Sequence, residues 1–134
     1  AVVVDTPPGL GPIVRAVMAA SDRVLVPLQC EPLALQTTSQ ILKGIRDAVS
    51  KHPSLRLEGI VLTLYDDESA VCRRIVERVR EQLPPSLLFE VPVPRTEATV
   101  EAFAAGQPVV LRSPDDPASA AYLALAEALT RRTI

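Results

Sequence analysis

No stretch of the sequence reaches the ~20 consecutive apolar residues of a bilayer-spanning helix, and no charged-then-apolar leader precedes a cleavage site. A soluble, cytoplasmic protein is the expectation. Basic excess is also missing: Lys plus Arg number 14 against 16 Asp plus Glu, a formal charge of −2. That balance excludes a dedicated nucleic-acid binder and leaves room only for local DNA contacts. There are two cysteines, Cys30 and Cys72, without CxxC spacing, and a single histidine, His52. Neither a zinc site nor a disulfide framework is indicated. Internal repeats, low-complexity tracts and linkers are absent, so residues 1–134 read as part of one domain. What remains is a chain of 134 residues, 48% hydrophobic and 22% charged, which excludes disorder and collagen-like composition.

The sequence opens without Met on Ala1-Val2-Val3-Val4, a β-branched run suited to a buried parallel strand. The expectation is a sequence that begins inside a longer protein. Strand-like and helix-like segments then alternate: strand 1–4, helix 13–20, strand 23–27, helix 33–50, strand 57–63, helix 69–83, strand 87–91, helix 99–105 and helix 117–131. Such alternation predicts an α/β fold, a mostly parallel sheet with helices on both faces. Prolines at 53, 84 and 85 mark helix ends, and Ser69 is an N-cap candidate. Val71, Ile75, Val79 and Leu83 are expected to form the apolar stripe of the third helix.

Three places hold candidate chemistry. The first is Val2-Val3-Val4-Asp5-Thr6-Pro7-Pro8-Gly9-Leu10-Gly11. A hydrophobic strand ending in aspartate is a Walker B arrangement, in which the carboxylate holds magnesium directly or through water. The alternative is a turn or capping role for Asp5 before Pro7. Pro8, Gly9 and Gly11 add a stiff turn whose glycines let backbone approach a phosphate. The second is Gln29-Cys30-Glu31-Pro32, a strand exit in which Cys30 reads as a packed thiol rather than a nucleophile, and Glu31 as a helix cap. The third is Val91-Pro92-Val93-Pro94-Arg95-Thr96. Its prolines form a rigid edge that suits a flat ring, although an ordinary proline-rich loop has the same composition.

Together, VVVDTPPGLG, ASDRVLVPLQCEPLAL, LEGIVLTLYD, VPVPRTEATVEAFAAGQPVV and SAAYLALAEAL resemble, in order and spacing, the carboxyl-terminal half of ParA-type (Soj-like, deviant Walker) partition ATPases. The Asp-x-Pro-Pro-x-x-Gly form is more similar to ParA proteins than to the related MinD cell-division ATPases. The resemblance spans nearly the whole chain and implies a P-loop NTPase-like fold. In the family, a lysine-bearing glycine-rich loop grips ATP phosphates and a first-switch aspartate serves catalysis. Neither has a counterpart here, since Lys43-Gly44 lies within a helix whose amides are already engaged. The resemblance therefore implies an ATPase as the whole protein, with no catalytic residue in this sequence and no activity from it alone.

Residue by residue, the resemblance makes Asp5 the magnesium residue, acting through water, and places Pro8, Gly9 and Gly11 in the switch that senses the γ-phosphate. It sets Thr63 and Leu64 beside the adenine, and Pro94, Arg95 and Thr96 in the loop covering it. It further implies ATP and Mg2+ as cofactors, an ATP-dependent homodimer, a ParB-like partner, and segregation of plasmid or chromosomal DNA by a nucleoid-associated cytoplasmic protein. This sequence departs from the family at Glu68, Ala98 and Asp115-Asp116-Pro117, where chromosomal ParA proteins tend to carry basic residues, so non-specific DNA binding is expected to be weakened. Arg73, Arg74, Arg78 and Arg80 form either a substitute DNA patch or a solvated helix face. Two alternatives accompany this reading: a catalytically inactive interaction module pairing with a protein through an open sheet edge, and a MinD-like ATPase. The terminal Thr130-Arg131-Arg132-Thr133-Ile134 is too short and mixed for MinD-like membrane binding.

Overall fold

The computed structural model describes residues 1–133, leaving aside the side chains at 34–38, 41 and 133. Its order is α1 (Pro12–Ala19), β1 (Arg23–Gln29), α2 (Pro32–Lys51), β2 (Arg56–Thr63), α3 (Ala70–Gln82), a 3-10 turn (Pro85–Leu87), α4 (Glu97–Ala104), α5 (Val109–Arg112) and α6 (Pro117–Thr133). Among the described residues β1 and β2 form one parallel pair, with Val26 opposite Ile60 and Gln29 opposite Thr63.

The strands alternate their side chains between two cores, as a period of two requires. Val26, Leu28, Ile60 and Leu62 face a cluster with Val14, Met18, Ile45, Ile75 and Val79 from α1, α2 and α3. Val61 turns the other way, toward Phe89, Val93, Ala118 and Ala121, with Leu25 packed alongside. Helices thus cover both faces of a parallel sheet, the predicted α/β arrangement. Pro12 and Pro32 open α1 and α2 at the first turn, where a missing N–H is harmless. The Ser69 side chain caps α3 by accepting from Cys72 N at 3.3 Å.

Three expectations fail locally. Residues 1–4 form no strand, and Val2 and Val3 are about nine-tenths exposed. β-branched propensity stabilises a strand only where a ladder and an apolar face receive it, and no described strand pairs with this run. Residues 87–91 likewise form no strand. Segment 88–94 runs beside β2 and makes single parallel bridges, Ile60 with Leu88 and Tyr65 with Pro94. Phe89 N donates to Ile60 O and Val93 N to Leu62 O, so this segment spends four residues against two of β2 and the ladder breaks between them. On α3 the expected Ile75, Val79 and, at its C-cap, Leu83 are buried, but Val71 is exposed, and Cys72 and Val76 take the buried side instead. The true stripe steps by three and four residues rather than by four alone, because 3.6 residues complete a turn. The short α5 was not anticipated.

The amino end of the strands is tied to α6. Buried Glu58 pairs with Arg23, and Arg132 Nη1 donates to Glu58 O at 2.9 Å. The Arg132 guanidinium also lies 4.2 Å from the Phe89 ring centroid, a cation–π contact.

Candidate functional site

Ligands of open α/β sheets bind beyond the carboxyl ends of the strands. Three chain segments meet there. β1 leaves through Cys30, whose N–H donates to Thr63 O at 2.9 Å. β2 leaves through Leu64, a non-glycine residue at φ 52, in the left-handed region. That conformation costs on the order of 1 kcal/mol and redirects the chain so that Tyr65 N donates to Val93 O at 3.0 Å. The third segment answers with Arg95 N donating to Tyr65 O at 2.8 Å. Arg95 Nη2 reaches Glu31 Oε1 at 3.2 Å and closes the circuit back to the start of α2. Glu31 occupies the N-cap position of α2 without a side-chain capping bond, so its expected capping role is replaced by this exposed ion pair.

A cleft of about 680 Å3 opens beside this junction, within the usual range for small-molecule sites. One wall is Val91, Pro92, Pro94, Arg95 and Thr96; the others are Tyr65 to Asp67 and, from α6, Pro117, Ala120, Ala121 and Ala124. Prolines and alanines give flat, rigid apolar walls. The carboxylates of Asp66 and Asp67 at the edge repel phosphate but accept hydrogen bonds from hydroxyl or amine groups. This cleft suits an uncharged ring with polar substituents.

The structure therefore brings Pro94, Arg95 and Thr96 to one cleft, with Thr63 and Leu64 immediately before its Tyr65 wall. Sequence reasoning missed Tyr65, Asp66 and the α6 alanines; the YDD run after a strand was the available signal. Thr96 uses its hydroxyl internally, donating to Asp116 Oδ1 at 3.0 Å. Asp5, Pro8, Gly9 and Gly11 line neither this cleft nor a smaller cavity between α1 and α2. Asp5 is exposed and makes no hydrogen bond or ion pair among the described residues, and Gly9 has φ 92. Arg73, Arg74, Arg78 and Arg80 are all exposed on α3, with Arg73 donating to Asp67 O.

The two cysteines, distant in sequence, meet: Cys72 Sγ donates to Cys30 O at 3.1 Å, and both are buried. Burial, reinforced by the Cys72 neighbour, pushes the Cys30 thiol up from 9.0 to about 11. It is a packed thiol, as expected, and poorly nucleophilic. Because its folded value lies above the unfolded one, the stability it contributes is intact below pH 9 and lost as pH rises toward 11. Urea unfolding at pH 8 and pH 10.5 should show an alkaline loss on the order of 2 kcal/mol that Cys30→Ala lacks. Equal pH dependence in both proteins would remove Cys30 as the source.

A family model described as an AAA domain matches residues 1–57. The chromosome partitioning protein ParA of Myxococcus xanthus is 38% identical over 98% of this chain, which covers 46% of that protein. The sporulation initiation inhibitor protein Soj of Bacillus subtilis is 33% identical over 94% of this chain and 50% of its own length. The chain is similar to ParA and Soj proteins over nearly its whole length. It spans about half the length of the ParA and Soj proteins it matches. Among solved structures, cobyrinic acid a,c-diamide synthase from Mycobacterium smegmatis, with bound ATP analogue and magnesium, superposes with a TM-score of 0.66 at 30% identity. The match covers 85% of this chain and 41% of the synthase. Among the described residues no helix is long and apolar enough to cross a membrane.

Proposed function

We propose that the full gene product is a ParA/Soj-type partitioning ATPase and that this chain supplies the base side of its nucleotide site. The observation that carries the reading is the proline- and alanine-walled cleft at the carboxyl edge of a parallel sheet, bordered by Tyr65 and by residues 94–96. The base stacks against Pro94 and the α6 alanines, and its polar substituents meet Asp66, Asp67 and backbone. The neighbour with bound ATP analogue and magnesium supports the same ligand class.

Among the described residues no three His, Cys, Asp or Glu side chains gather as a metal cage. A lone, unpartnered carboxylate such as Asp5 fits magnesium, which keeps several waters and takes its remaining ligands from phosphates. When bound, that ion neutralises phosphate charge. In this reading residues 2–4 find their sheet neighbour elsewhere in the whole protein, and Pro8, Gly9 and Gly11 follow the γ-phosphate. ATP-dependent dimerisation, a ParB-like partner and weakened non-specific DNA binding through Arg73, Arg74, Arg78 and Arg80 complete the proposal.

Filling the cleft tests it. In the full gene product, Ala124→Phe projects a ring into the cleft and should weaken binding of a fluorescent ATP analogue at least about tenfold, the effect of losing ~1.4 kcal/mol. Circular dichroism checks that the fold is retained. Wild-type affinity in that variant would move the base elsewhere.

A further inference from the structure

The loop at residues 94–96 and the start of α6 form two walls of one cleft, and a single carboxylate joins them. Thr96 is the N-cap of α4, its Oγ1 accepting from Thr99 N at 3.3 Å. Asp116 does the same for α6, its Oδ1 accepting from Ala118 N at 2.8 Å. The two caps are bonded to each other: Thr96 Oγ1 donates to Asp116 Oδ1 at 3.0 Å. A hydroxyl has one proton to donate, and Thr96 spends it on Asp116. Its lone pairs meet Thr99, whose Oγ1 lies 2.6 Å away. No donor is left over for a ligand.

We propose that Asp116 is a positioning residue for nucleotide binding, holding residues 94–96 at the spacing from α6 that the base requires. The proposal rests on the base-side reading of the cleft. It gives Asp116 a task that the loss of basic residues at 115–117 does not suggest. Half-buried Asp116 holds both bonds on one oxygen, Oδ1, so its acceptor oxygen matters more than its charge. The carboxylate fixes the α6 terminus and the loop at once, and the cleft between them keeps its width with or without ligand.

The test is a binding series on the full gene product, using a ribose-labelled fluorescent ADP with magnesium. Asp116→Ala removes both bonds and should raise Kd about three- to tenfold, the effect of one lost hydrogen bond. Asp116→Asn retains an acceptor oxygen and should restore wild-type Kd. Thr96→Val deletes the link between caps together with the α4 cap on Thr99 N, leaving Asp116 on Ala118, and should weaken binding about as Asp116→Ala does, while Thr96→Ser, which keeps the hydroxyl, should restore it. The double variant should be no worse than either single one. Wild-type affinity in Thr96→Val would reduce Asp116 to an ordinary helix cap and overturn the proposal, as would a failure of Asp116→Asn to rescue. Absence of nucleotide binding by the unaltered protein would instead sink the base-side reading itself. Thermal unfolding of each variant keeps lost folding separate from lost affinity.

Discussion

Asp5→Ala in the full gene product should lower magnesium-dependent ATP hydrolysis about 100-fold or more, the scale of several kcal/mol of lost transition-state charge stabilisation. The structure makes this substitution unusually clean. Asp5 is exposed and supports no hydrogen bond, cap or ion pair among the described residues, so truncating it removes no packing. Thermal stability should stay within about 0.5 kcal/mol of the unaltered protein, as for surface changes generally. Base-side affinity, measured with a fluorescent nucleotide in EDTA, should also hold, because Asp5 does not line the cleft. Hydrolysis at the wild-type rate would exclude Asp5 as the magnesium residue.

The second large effect concerns folding. Gly59→Ala should destabilise the protein by about 3 kcal/mol, the combined scale of overpacking and an unfavourable backbone angle. Gly59 stands on β2 at φ 157, and an added Cβ would lie 2.7 Å from Phe89 Cε2 and 3.0 Å from Leu87 O. The second contact is backbone and cannot rotate away. The register between β1 and β2 also shifts here, with Val24 opposite Leu57 but Leu25 opposite Gly59. That bulge leaves Glu58 free to pair with Arg23 and sets Phe89 under Arg132. Gly44 makes a useful control: the atom nearest to a Cβ there is the flexible Cδ1 tip of Leu10. Urea unfolding of Gly59→Ala and Gly44→Ala compares the two, and equal losses would contradict the account of Gly59.

Local signals in the sequence located α1, β1, α2, β2, α3, α4 and α6 because each carries a period and a stop. Pro12 and Pro32 sit where helices begin, and Ser69 caps as its side chain suggests. Where the outcome depended on a distant neighbour, the sequence was less informative. The run at residues 1–4 has strand propensity without a strand beside it, and 88–94 has the path of a strand without a register that matches β2. The candidate site divides the same way. Residues 94–96 were legible from their prolines, and the structure sets them at a cleft. Tyr65 and the α6 alanines were not, because their role comes from a left-handed turn at Leu64 and from a helix more than fifty positions away. Asp116 looked like a missing cation; only the positions of Thr96 and Ala118 disclose its two hydrogen bonds.

The alternation along β2 bears on how this protein comes apart. Ile60 and Leu62 serve one core while Val61, between them, serves the other. Neither layer of helices can peel off without stripping solvent protection from the same three consecutive residues. The layers consequently share a fate: loosening on one side is transmitted through a single backbone to the other, and melting is concerted rather than stepwise.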